Sequence, residues 1–95
     1  MSYTAIDAQT AAATFDFYIP PGATARVTQH NLGASETVDV QFPIAGGYDD
    51  LYQDGSQVQL TSTNNAVTVN GPGYFRLNKG VTSAGVTVDL DRNPI

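Results

Sequence analysis

The stretch from Tyr52 to Lys79 constrains the fold most, because three runs of alternating apolar and polar residues are separated there by turns that no helix continues through. Asp54-Gly55 is the first break. Val58 and Leu60 then alternate with Gln57, Gln59 and Thr61, the period of a strand with one buried face. Asn64-Asn65 reads as the close of a hairpin, since asparagine tolerates positive φ, and Val67 and Val69 resume the alternation. Gly71-Pro72-Gly73 ends that strand: proline fixes φ and donates no ladder hydrogen bond, and the flanking glycines reach conformations closed to other residues. Tyr74 to Leu77 starts the next.

The same pattern runs through the rest of the chain. Phe15, Phe17 and Ile19 alternate with Asp16 and Tyr18 up to Pro20-Pro21-Gly22, and Ala25 and Val27 oppose Arg26 and Thr28 between Ala23 and His30. Val38, Val40 and Phe42 alternate with Thr37, Asp39 and Gln41, with Pro43 expected to stop the strand. Gly46-Gly47 turns into a short polar-aromatic strand, Tyr48 to Gln53, and Val86, Val88 and Leu90 face inward in the last one. About eight short strands, with a turn signal every 8 to 12 residues or so, predict an all-β fold: a single-domain antiparallel β-sandwich, jelly-roll or immunoglobulin-like, over residues 13–91. Residues 1–12 lack the apolar stripe that would dock a helix and read as an N-terminal arm that either frays or anchors on a neighbouring subunit through Tyr3 and Ile6. Residues 92–95 read as a tail.

Charge and cysteine usage narrow the function classes. Nine acidic residues face four basic ones, and Arg26, Arg76, Lys79 and Arg92 are scattered, so the concentrated cationic surface that nucleic acid demands is not encoded. No cysteine is present, which removes disulfides and thiolate metal sites alike. No apolar run approaches the ~20 residues of a membrane span, and the first residues carry no basic segment or apolar core, so neither a membrane partner nor a signal peptide is expected and synthesis in a cytoplasm is. In a chain of 95 residues a single core leaves little surplus stability, which makes help from partner subunits plausible.

No catalytic or cofactor constellation stands out. His30 has no second histidine or cysteine to complete a transition-metal site. Counting from Asp50, the third and twelfth positions of a calcium loop fall on Tyr52 and Thr61, so that pattern fails; Asp49 or Asp50 with Asp89 or Asp91 is the alternative ion site, against a default of solvated loop acids. Ser35, Ser56, Ser62 and Ser83 lack the glycine-flanked nucleophile motif. The expectation is a protein with no enzymatic activity, no metal and no cofactor. Phe15, Phe17, Phe42 and Phe75 fall on core positions, whereas Tyr18, Tyr48, Tyr52 and Tyr74 are surface candidates, for a subunit interface or for stacking on a sugar.

From Asp54-Gly55-Ser56-Gln57-Val58-Gln59-Leu60-Thr61 through Asn64-Asn65 to Gly71-Pro72-Gly73-Tyr74-Phe75-Arg76, the chain resembles small structural proteins of tailed bacteriophages, over about residues 36–90. The resemblance implies a virion component of the capsid decoration or cement type. Such a protein sits on the outer surface of the shell, binds the major capsid protein, often as a homotrimer, and opposes outward pressure. On that reading the contact residues are Tyr3, Ile6, Pro20, Pro21, Tyr48, Tyr52 and Arg92. The alternative is a tail- or fibre-associated module that contacts a host glycan through Tyr48 and Tyr52.

Overall fold

The computed structural model describes residues 2–93, with the side chains of Ser2, Tyr3 and Asn93 outside that description. Eleven β-segments follow in order: β1 (Ser2–Gln9), β2 (Ala13–Ile19), β3 (Thr24–His30), β4 (Val38–Ile44), β5 (Gly47–Asp50), β6 (Tyr52–Gln53), β7 (Ser56–Gln57), β8 (Gln59–Leu60), β9 (Ala66–Asn70), β10 (Gly73–Lys79) and β11 (Val86–Asn93). One sheet has the order β1-β11-β3-β9. The other has the order β2-β10-β4-β5, with β8 also on β4, and every pairing is antiparallel.

The two orders become legible once β5 and β8 are seen as one interrupted strand. Both lie along the same edge of β4, β5 against Gln41 to Ile44 and β8 against Val38 and Asp39. Between them Leu51 donates its amide to the Val40 carbonyl, and Val40 donates to Val58. The chain between Leu51 and Val58 leaves the sheet as the small β6–β7 hairpin. Counted this way, the first, eighth, third and sixth strands form one sheet and the second, seventh, fourth and fifth form the other. That is the strand order of a jelly roll. The expected sandwich is therefore present, and in its jelly-roll form.

One core lies between the layers. Ile6, Val27, Val69, Val88 and Leu90 come from the β1 sheet and Phe17, Ile19, Val38, Val40, Leu60, Phe75 and Leu77 from the β2 sheet, all buried in a single cluster. The alternation read from the sequence is what puts them there, because a period of two sends every second side chain to the same face.

Several boundaries differ from those expected. Residues 2–9 are an edge strand and not an arm: β1 pairs with β11 from Ser2↔Asp91 to Gln9↔Val86, and Ile6 is 4% exposed in the core. Arg92 and Asn93 belong to β11 and not to a tail. Pro43 does not end β4, because the strand continues to Ile44 on a rung paired with β5. Asn64-Asn65 closes no hairpin. The turn carries the chain from β8 in one sheet to β9 in the other, and neither residue adopts positive φ. Asp49 and Asp50 lie in the β2 sheet while Asp89 and Asp91 lie in the β1 sheet, so the alternative ion site does not assemble. Among the described residues no three metal-binding side chains cluster.

Candidate functional site

The outer face of the β2 sheet carries a row of aromatic and charged side chains. The register sets Tyr18 opposite Tyr74, Asp16 opposite Arg76, Arg76 opposite Gln41 and Pro43 opposite Tyr48. The Tyr18 and Tyr74 rings stand 4.8 Å apart, tilted by 45°. Arg76 Nε and Nη2 donate to the two carboxylate oxygens of Asp16 at 2.6 and 3.1 Å, while the guanidinium lies 3.7 Å from the Tyr48 ring centroid. A planar cation held by a bidentate carboxylate along one edge and a ring on its face has little freedom left to lose on binding. The Arg76 hydrogen bond holds the Asp16 carboxyl below the usual carboxylate range, and Asp16 raises the Arg76 guanidinium in return.

Beside this row the sheet opens. The β10–β4 ladder stops at Arg76↔Gln41, yet β10 stays on β2 as far as Gly73 and β4 stays on β5 as far as Ile44. The diverging strands leave a cleft of about 320 Å³ lined by Phe42, Pro43, Leu51, Pro72, Gly73, Tyr74 and Phe75. Its wall is mainly apolar, and Tyr74 on its rim is 68% exposed. The turn Pro20-Pro21-Gly22 lies at this same end, since Ile19 pairs with Gly73; Gly22 at φ +83 and the Ala23 amide on the Pro20 carbonyl fit a type II turn with proline second and glycine third.

The structure brings some of the expected contact residues to this region and disperses others. Pro21 is exposed and Pro20 half-buried beside the cleft, and Tyr48 stands on the outer face under Arg76. Arg92 donates Nη1 to the Tyr18 carbonyl at 3.3 Å, which ties it to the edge of β2. Ile6 is removed from any contact role by its burial, and the Tyr3 side chain lies outside the described residues. Tyr52, 62% exposed, sits on the β6–β7 hairpin, which Gln53 fastens to β9 by donating to the Thr68 carbonyl and accepting from the Asn70 amide. Sequence reasoning missed Asp16, Arg76 and the cleft. Their signal was the outward parity of Asp16, Tyr18, Tyr74 and Arg76, but the partnering needs the register.

The remaining ionisable groups serve the framework. Glu36 accepts the Gly33 amide at 2.7 Å and the Ser83 amide at 2.9 Å, bonds that hold its carboxyl below the usual range. Lys79, the last residue of β10, is fully buried, with Nζ on the carbonyls of Ala11 (2.7 Å) and Gly80 (3.0 Å), and burial pushes its ammonium down. His30 Nε2 is 3.7 Å from Asp89 at the surface of the other sheet.

Comparison with protein-family models, with curated proteins and with solved structures finds no match to this chain.

Proposed function

We propose that the protein is a non-enzymatic structural component that docks on a larger assembly through the outer face of its β2 sheet. The assembly is the outside of a tailed-bacteriophage capsid, where the protein acts as a decoration or cement protein on the major capsid protein. The observation that carries this reading is the immobilised Tyr18–Tyr74 and Asp16–Arg76–Tyr48 row beside an open apolar cleft. Tyrosine and arginine are the residue types that dominate interface energetics, and pre-ordered side chains lose less entropy on docking. The phage context comes from the sequence resemblance. Jelly rolls recur in viral capsid and lectin domains, which agrees with the context without deciding it. Many copies on a shell multiply a modest contact through effective concentration.

Co-sedimentation of the purified protein with undecorated shells tests the reading. The wild type pellets with the shells; Tyr74→Ala and Arg76→Ala each weaken binding by about tenfold or more. Thr68→Ala, on the outer face of the opposite sheet, leaves it unchanged. A wild type that stays in the supernatant overturns the proposal. The exposed Tyr74 ring over the cleft favours one second reading, a host glycan bound by a tail- or fibre-associated module. Glycan-array binding that disappears with Tyr74→Ala selects that reading over the shell.

A further inference from the structure

A β-sandwich has sheet edges, and unpaired edges must be blocked or used. In this protein three of the edges are blocked. β1 is broken by irregularities between Thr4 and Ile6 and between Ile6 and Gln9, with Ala8 at φ +47. β9 is capped by the Gln53 side-chain amide, which occupies both the Thr68 carbonyl and the Asn70 amide. The edge formed by β5 and β8 is interrupted by the β6–β7 hairpin.

β2 is different. It pairs with β10 on seven successive rungs without a break and contains no proline, glycine or lysine. Two observations show which of its backbone groups face outward. The Val40 amide and carbonyl bond to Val58 and Leu51 on the far side of β4, so Gln41 and Asp39 are the residues of β4 that bond to β10, at Arg76 and Asn78. Arg76 and Asn78 therefore turn their backbone groups away from β2, and their partners Asp16 and Thr14 turn theirs to the open edge. Independently, the Tyr18 carbonyl, two residues along in the same phase, points out to Arg92. Among the described residues the amides and carbonyls of Thr14 and Asp16 have no partner in the fold.

We infer that this edge pairs with the β2 edge of a second copy of the same chain, antiparallel about a two-fold axis at Phe15. The choice of register follows from chemistry. An axis at Asp16 would put the two Asp16 carboxylates directly opposite each other, which is unfavourable even with Arg76 beside each. It would also need the Tyr18 carbonyl that Arg92 already holds. An axis at Phe15 leaves that bond intact. Thr14 then exchanges both backbone hydrogen bonds with Asp16 of the other copy, and its hydroxyl faces that carboxylate. Phe17 meets Ala13, a large side chain against a small one. The pairing is the same patch on both copies, so it closes as a dimer and leaves no edge to propagate. It stands whether or not the outer face docks on a capsid. The assembly unit is then two-fold, in place of the homotrimer the resemblance implies.

Cysteine mixing tests the register, because the chain has no cysteine of its own. Facing Cα atoms of a hydrogen-bonded antiparallel pair lie about 5.5 Å apart, inside the disulfide range. Thr14→Cys and Asp16→Cys, both at exposed positions, should form a covalent dimer when mixed and oxidised, and neither should do so alone. Light scattering should give the wild type twice the chain mass. Thr14→Pro removes an amide that β10 does not use, so it should keep the circular dichroism of the fold while weakening dimerisation at least about tenfold. A wild-type mass of one or three chains, or crosslinking as efficient in either single variant as in the mixture, overturns the inference.

Discussion

Arg76 reaches across the β2–β10 rung and closes two guanidinium nitrogens on the two oxygens of Asp16, at 2.6 and 3.1 Å. The residues are 60 positions apart in the chain, and only the jelly-roll order makes their strands neighbours. The pair lies on a rung whose backbone groups point away from each other, the rung type on which side chains stand closest. Tyr18 and Tyr74, two residues along, share that phase and bring their tilted rings together for the same reason. The outer face is thus organised by strand phase as much as by residue type.

Asp16→Asn should lower stability by no more than about 1 kcal/mol at neutral pH, since the Asp16 side chain is mostly exposed and solvent screens the pair. The sign of the pH dependence is fixed. Arg76 lowers the carboxyl in the folded state, so the contribution is present above the usual carboxylate range and fades as pH falls through the lowered value. Urea unfolding of wild type and variant across the acid range should show the two curves converging; a constant gap would place the energy elsewhere.

Asp39 behaves oppositely. Its Oδ1 is buried without a hydrogen-bond partner, and burial, followed by the nearby Asp50 charge, raises its carboxyl. A raised carboxyl opposes folding once it ionises, and because solvent screens this half-buried group Asp39→Asn should stabilise the protein by no more than about 1 kcal/mol at neutral pH. The gain should shrink to nothing as the pH drops below the usual carboxylate range. Thermal midpoints of the two proteins at neutral and acid pH measure it.

The sequence made the sandwich readable because the inward residues of β2, β3, β4, β10 and β11 keep an unbroken period of two. β1 escaped because its irregularities around Ile6 and the positive φ of Ala8 break that period, leaving Ile6 as the one large buried residue among its described side chains. Asn64-Asn65 misled for another reason: local turn chemistry is the same whether the next strand returns to its own sheet or crosses to the other. Lys79 could have been found. It continues the inward positions Phe75 and Leu77, so its parity points to the core, although lysine is rarely buried there. The outer face of the β2 sheet divides similarly, with exposed tyrosines visible in the pattern and their partners set by non-consecutive strands.

Gly71→Ala should cost about 1–3 kcal/mol. A Cβ there would run into the Ile19 side chain, with Ile19 Cβ at 2.9 Å and the Ile19 carbonyl at 3.2 Å. Ile19 is fully buried and has no room to retreat. Gly22→Ala is a different case: nothing lies within 4 Å of its added methyl, so any loss there comes from φ +83 alone. Chemical denaturation of both variants separates collision from backbone strain, with Gly71→Ala expected to lose the more.

Lys79 gives the sharpest alkaline test. Its ammonium is fully buried, and desolvation lowers it while the Glu36 charge pulls partly the other way. For a base lowered by folding, the unfolded chain holds its proton to higher pH than the folded one, so stability rises with pH across that window. Lys79→Met keeps most of the volume and removes the titration, at the expense of the donor to Ala11 and Gly80. The wild type should therefore gain stability relative to Lys79→Met as pH climbs toward the usual lysine range, and Glu36→Gln in the wild-type background should enlarge that gain. Lys79→Ala adds a cavity to the two orphaned carbonyls and should lose about 3 kcal/mol at neutral pH. Urea midpoints at neutral and alkaline pH decide the matter: parallel curves for wild type and Lys79→Met would mean that the ammonium reaches water despite its enclosure.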